Sequence, residues 1–351
     1  MKKFYSMIAL LIVASLAVTA CGAAATDTFK VAQVTDLGGI DDKSFNATAY
    51  DGIERAVTEL GVEGKYLESQ QQSDYARNIQ QLLDEDTDLI VTVGFLLGVD
   101  TATAAKANPD TNFAIVDYAY PDCFGGAVEG QECGSATELS NVLGLTFQTD
   151  QAAFLAGYAA AASTQTGTVA TFGGINIPPV TIFMIGFEAG VNHYNQSMGA
   201  SVEVLGWDTA AGDGSFTGNF ESLDDGRSFA EAFVQEGADI IMPVAGPVGL
   251  GSAAYCQETG ACRIIGVDTD FTISAPEYTD VILTSVLKNM DVAVFDAIQA
   301  AVEGTFSGGV YSGTLENNGV GLAPVAGASA ELNSTLEQLR NDIISGALTV
   351  Q

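Results

Sequence analysis

The chain reads as an α/β protein of two domains, each a parallel sheet flanked by helices. Three observations carry that reading. Its 351 residues, with 47% in the hydrophobic set and 16% charged, can bury two cores of ordinary size. Short apolar runs recur with helical periodicity between them. Asp, Gly or Phe stands immediately after several of those runs, where an open α/β sheet presents its ligand-facing edge.

Taken in order, residues 29–35 (FKVAQVT) form the first strand, and Ile53, Ala56, Val57 and Leu60 follow at the i, i+3, i+4, i+7 spacing of an amphipathic helix. Further strands are expected at 89–93, 113–116, 142–146, 168–171, 240–244, 264–267 and 281–285. These runs are apolar without alternation, as strands covered on both faces must be. The clearest helices are 150–164, rich in alanine, then 289–303 and 330–345. No sequence repeat marks a solenoid. Asp36 follows the first strand, Phe95 the run LIVTVG, Asp117 FAIV, Gly246 IIMPVA and Asp268 IIGV, so all five fall on one rim. Asp and Gly also serve such turns as helix caps and left-handed residues.

The first residues stand apart from the fold. Lys2 and Lys3 precede an apolar stretch from Met7 to Ala20, a secretory signal too short for a comfortable membrane span. Its end, Val18-Thr19-Ala20-Cys21, resembles a bacterial lipobox. Residues 1–20 are therefore expected to be removed, Cys21 to be lipidated, and 21–27 to tether the body to the outer face of a cell membrane.

With 12 basic and 44 acidic side chains the net charge is −32, and loss of Lys2 and Lys3 leaves 10 against 44, or −34. A nucleic-acid partner is excluded, because phosphate contacts would be made against the protein's own field. Of the later cysteines, the short spacings favour the pairs Cys123–Cys133 and Cys256–Cys262 in an oxidising compartment. There is no CxxC, and the single histidine, His193, lies in a helical pattern, so neither a zinc site nor a redox dithiol finds its ligands. Catalytic constellations are missing too: no GxSxG, HExxH or Walker A occurs, and the glycines from Gly246 to Gly251 are not a dinucleotide fingerprint. The adjacent acids Asp41 and Asp42 point apart in a turn more often than they converge as a glycosidase pair. The chain is expected not to be an enzyme.

Residues 34–46 (VTDLGGIDDKSFN) resemble the N-terminal signature of the basic membrane protein, or PnrA-like, family of lipoproteins. Similar blocks follow in the family's order: Phe95 in VGF, Asp117 in AIVDY, GFEAG at 186–190 after IPPV, AGPVG at 245–249, GVDTD at 266–270, TSVLK at 284–288 and GVGLAP at 319–324. The resemblance implies a type I periplasmic binding protein: two Rossmann-like lobes joined by hinge strands, with the ligand in the cleft. Residues 28–146 and 285–320 would form lobe one, and 147–284 and 321–351 lobe two. It implies the substrate-binding component of an ABC transporter, with a permease and an ATPase as partners, a purine nucleoside as ligand and no cofactor.

Carried over by position, the resemblance makes Phe45 and Phe187 the rings that stack on the base, and sets Asp117 and Asn46 at the base edge. Asp268 and Lys288 would hold the ribose, with Asp36, Asp42 and the Gly246 backbone completing the wall. Ionised carboxylates accept from vicinal hydroxyls, and aromatic faces stack on a flat base. The segment from Cys123 to Asn141 is longer than the family pattern, and Phe271 replaces a residue usually polar or differently aromatic. The competing function is a sugar or autoinducer receptor on the same fold, which would feed a transporter or a sensor kinase. Sugar sites favour tryptophan, and the only one here is Trp207, in an expected lobe-two strand.

Overall fold

The computed structural model describes residues 28–120 and 139–350. The signal, Cys21 and the pair Cys123–Cys133 lie outside the described residues. The first half runs β1 (Lys30–Val34), α1 (Phe45–Leu60), β2 (Glu63–Leu67), α2 (Tyr75–Asp84), β3 (Leu89–Val93), α3 (Gly98–Ala107), β4 (Asn112–Val116) and β5 (Val142–Phe147). Then come α4 (Thr149–Ser163), β6 (Thr168–Gly173), α5 (Pro178–Met198), β7 (Glu203–Leu205), a hairpin of β8 (Trp207–Asp208) and β9 (Asp213–Gly214), α6 (Leu223–Gln235), β10 (Ile240–Val244), α7 (Val248–Thr259) and β11 (Arg263–Asp268). The chain closes with β12 (Ile282–Lys288), α8 (Met290–Val302), β13 (Gly309–Gly313), β14 (Val320–Leu322) and α9 (Ala330–Ile344).

Two six-stranded sheets result, ordered β13-β5-β4-β3-β1-β2 and β14-β12-β11-β10-β6-β7. Every pairing is parallel except β12 with β14. The central strands β3 (LIVTV) and β10 (IIMPV) are buried at every residue, which is why they read as unbroken apolar runs. The edge strands β2 (EGKYL) and β13 (GVYSG) each keep two residues exposed and carry little apolar signal, so pairing alone makes them strands.

The chain crosses between the lobes three times. It leaves the first sheet after Phe147, returns after Lys288 and crosses finally between Gly313 and Val320. The expected boundary at 284/285 is therefore four residues early. β12 stays paired with β11 up to Leu287 and with β14 at Lys288, because its apolar run continues through Val286 and Leu287. The last boundary also moves, since Val320 already pairs in the second sheet. The crossings are bonded to one another: Gln148 N donates to Gly313 O at 2.8 Å and Asn289 N to Gly319 O at 2.9 Å. After its crossing α8 packs on α1, whereas α9 packs on α4.

In the second lobe α4 and α5 approach closely, and two glycines of the GFEAG block make this possible. A Cβ on Gly186 would sit 2.3 Å from Asp150 O, and one on Gly190 2.0 Å from Phe154 O. That block is a packing motif. Elsewhere in the lobe, Cys256 and Cys262 are bonded and join the end of α7 to the start of β11. Closing so short a loop restricts the unfolded chain by about 2 kcal/mol. Cys262→Ser is accordingly expected to lower unfolding stability by about that amount, read by urea denaturation.

Candidate ligand-binding site

The carboxyl ends of the two sheets face one another. From the first come Asp36, two residues past β1, Gly94 and Phe95 past β3, and Asp117 past β4; from the second come Gly246 past β10, Asp268 ending β11 and Lys288 ending β12. The space between them is lined by side chains from both sheets. Of the ten expected ligand contacts, nine line this space: Asp36, Asp42, Phe45, Asn46, Phe95, Asp117, Gly246, Asp268 and Lys288.

Phe187 does not. Its ring is fully buried in the core between α4 and α5, and the cleft is lined instead by Phe183, one turn earlier on α5. The two lie four residues apart on one helical face, so periodicity alone could not choose between them. Sequence reading also missed Phe147, whose ring centroid lies 5.4 Å from Lys288 Nζ, and Ser44. Phe271 is buried against Gly266 and outside the lining, and its N–H donates to Ser285 Oγ at 3.1 Å.

The polar residues fall into two groups. The first gathers at the start of α1. Asp42 accepts from the backbone N–H groups of Ser44 (3.0 Å), Asn46 (2.7 Å) and Ala47 (3.0 Å), so its carboxyl satisfies free donors at the start of that helix, whose N-cap residue is Ser44. Asn46 Nδ2 donates to Asp42 Oδ2 at 3.2 Å and to Asp36 Oδ1 at 3.3 Å. Its Oδ1 is buried and has no partner among the described residues. Beside Asp36, Gly94 turns at φ +123, and a Cβ there would sit 2.3 Å from Asp36 Oδ2, so only glycine lets the backbone pass.

The second group surrounds Lys288, which is 2% exposed and donates to Asp117 Oδ2 at 2.5 Å. The same ammonium lies 4.8 Å from the Phe45 ring centroid and 5.9 Å from that of Phe183. Asp117 and Asp268 both adopt positive φ, at 66° and 70°, a cost that L-residues bear mainly where a site requires it. Burial raises the Asp117 carboxyl above its usual range while Lys288 opposes the rise. Burial likewise pushes Asp268 up to about 6, against Lys288 and the Ser44 hydroxyl, with Asp117 adding to the rise. Asp117 thus sits with Lys288, and Asn46 with Asp36 and Asp42.

Besides the Lys288–Asp117 ion pair, two contacts bridge the cleft from lobe one to lobe two. Ser44 Oγ donates to Asp268 Oδ2 at 3.0 Å, out of water, and Lys43 Nζ pairs with Glu277 at 2.8 Å on the exposed rim. Exposed pairs contribute about 0–1 kcal/mol. Lys43→Ala is therefore expected to change ligand affinity by less than about fivefold, an effect that vanishes at high salt in titration calorimetry.

The model of the PnrA-like ABC transporter substrate-binding proteins matches residues 29–351. The chain belongs to this family. It is a substrate-binding protein of an ABC transporter, on the type I periplasmic binding protein fold, and its family is one of solute-binding proteins rather than enzymes. It is 29% identical to the ABC transporter nucleoside-binding protein BmpA of Lactococcus lactis, over 100% of this chain and 99% of that one. An uncharacterised lipoprotein of Pyrococcus abyssi is 33% identical over 83% of this chain and 68% of its own. The crystal structure of an ABC transporter solute-binding protein from Aeropyrum pernix superposes with a TM-score of 0.76 at 27% identity, covering 92% of each chain.

Proposed function

We propose that this PnrA-like protein binds a purine nucleoside between its lobes and delivers it to the permease of its transporter. The observation that carries the reading is the make-up of the cleft: it is lined by the rings of Phe45 and Phe183 and by two polar groups, Asp36 with Asp42 and Asn46, and Lys288 with Asp117 and Asp268. A nucleoside has matching parts, a flat base with hydrogen-bonding edges and a sugar with vicinal hydroxyls. Asp36 and Asn46 would meet the base edge, and Asp117, Asp268 and Lys288 the ribose, where carboxylates accept from hydroxyls and the ammonium offers its remaining protons. Trp207 does not line the cleft; its indole N–H donates to Thr209 Oγ1 at 2.9 Å in the hairpin, which counts against a tryptophan-stacked sugar. Among the described residues Lys288 is the only cation in the lining and is already paired, which counts against a phosphorylated ligand.

A thermal-shift screen of purine and pyrimidine nucleosides, free bases, sugars and nucleotides tests this, because a ligand that binds only the folded state raises the transition temperature. Purine nucleosides are expected to give the largest shift. A sugar that does so while nucleosides leave the transition unmoved overturns the reading.

The same reading places the protein outside the cytoplasm on a lipid at Cys21. No helix among the described residues is long and apolar enough to cross a membrane. Cys21→Ser is expected to release the protein to the soluble fraction or leave its precursor uncut, seen by fractionation and intact mass. Normal processing and membrane retention of that variant would count against the anchor.

A further inference from the structure

Ser44 stands at the N-cap of α1, where a serine hydroxyl ordinarily accepts from the free N–H groups of its own helix. It makes no such bond here. The two N–H groups that it would cap, those of Asn46 and Ala47, go to Asp42 instead. The backbone of Ser44 is engaged within lobe one as well: its N–H donates to Asp42, and its carbonyl accepts from Thr48 N at 2.9 Å and from the Thr48 hydroxyl. The Ser44 hydroxyl alone is left over, and it crosses the cleft. It lies 3.0 Å from Asp268 Oδ2 and 3.4 Å from Val267 O, both at the end of β11 in lobe two. The hydroxyl has one proton to give, and the carboxylate oxygen is the nearer and the stronger acceptor.

Ser44 is 1% exposed and does not line the ligand space, whereas its neighbours Phe45 and Asn46 and its partner Asp268 do. Its bond joins residues of different lobes, so it exists only while the lobes are together. The bond also seats the turn that carries Phe45 against lobe two, where the Phe45 ring meets Lys288 at 4.8 Å. Its neighbour on the rim, the Lys43–Glu277 pair, lies in water and is screened by salt. The Ser44 bond is buried and has a carboxylate as acceptor, and such bonds are among the stronger ones in a protein.

We propose that Ser44 is the latch of the closed cleft, a positioning residue that touches no ligand atom and sets the rate of ligand release by holding lobe one to Asp268. The inference rests on the nucleoside reading above for its probe and for the role of Asp268. In that reading Asp268 faces the ribose, so one carboxylate ties latch and ligand together, Oδ2 to Ser44 and Oδ1 to a ligand hydroxyl. Opening the lobes has to break both.

The test is surface plasmon resonance with adenosine, reading association and dissociation separately for the unmutated two-lobed protein, Ser44→Ala and Ser44→Cys. Dissociation from Ser44→Ala is expected to be about tenfold to a hundredfold faster, the effect of losing a hydrogen bond to a charged group. Association should change by less than about threefold, because the ligand enters an open cleft in which Ser44 and Asp268 are apart. Faster release should persist at about 1 M salt, since the bond is out of water. Ser44→Cys keeps nearly the same volume with a much weaker donor, so it should release adenosine about as fast as Ser44→Ala. The urea midpoint of ligand-free Ser44→Ala should move little, because the side chain bonds to nothing in its own helix. Unchanged dissociation from Ser44→Ala overturns the inference, as does a loss confined to association or one that salt removes. Release from Ser44→Cys as slow as from the unmutated protein also overturns it, by assigning the effect to packing. All of these leave the nucleoside reading standing. If adenosine does not bind the unmutated protein, the nucleoside reading fails and this inference with it.

Discussion

Lys288→Met is expected to abolish measurable nucleoside binding and to cost about 3–5 kcal/mol of folding stability at neutral pH. The substitution keeps the apolar stem among Phe45, Phe147 and Phe183 but strips Asp117 of its 2.5 Å partner and Asp268 of its nearest cation. Two buried carboxyls then have to ionise without compensation or remain protonated. The sign with pH follows. Without Lys288 both carboxyls move further above the values they have in the unfolded chain, so the folded form holds protons that the unfolded form has lost. The destabilisation is small below about pH 4, where the carboxyls are protonated in both states, and grows as pH rises through the folded values, about 6 for Asp268 even with Lys288 present. Urea denaturation at pH 4.5 and 7.5 measures it. A loss below about 1 kcal/mol at both values would mean that the cleft carries no charge for Lys288 to balance.

Phe187→Ala and Phe45→Ala are expected to fail in opposite ways. Phe187 is fully buried between α4 and α5, and its truncation should cost about 3–5 kcal/mol of stability, while affinity measured well below the transition temperature changes little. Phe45 is half-buried at the start of α1 and lines the cleft, so its truncation should lower nucleoside affinity about tenfold to a hundredfold and leave the apo protein nearly as stable. Stacking does not read the base edge, so adenosine and inosine should lose equally. Phe183 lines the cleft and is 2% exposed, and its alanine variant should show both losses. Paired calorimetric titration and thermal unfolding of the three variants separate these roles. An affinity loss for Phe187→Ala equal to that of Phe45→Ala would return Phe187 to the stacking role that its position in the GFEAG block suggests.

The sequence by itself determined the α/β class, the central strands and the rim. Runs such as LIVTV and IIMPV are legible because a strand covered on both faces must be apolar at every position. The residues that close those runs are legible because the carboxyl ends of parallel strands share one edge. Nine residues that line the cleft could be named on that basis together with the family blocks. What only the tertiary structure decided is everything that depends on how one strand lies beside another. The edge strands β2, β7, β13 and β14 exist through their pairing partners and have little apolar signal of their own. Phe183 and Phe187 share a helical face, and only the packing of α4 against α5 turns the first to the cleft and the second to the core. Asp117 and Lys288 are 171 residues apart in the chain, and no local pattern could pair them or set Asn46 with Asp36 instead. Periodicity reports whether a residue is buried, which is a local property of its element. The partner of a buried charge is set by the strand order and by the closing of one lobe on the other, and those are properties of the whole chain.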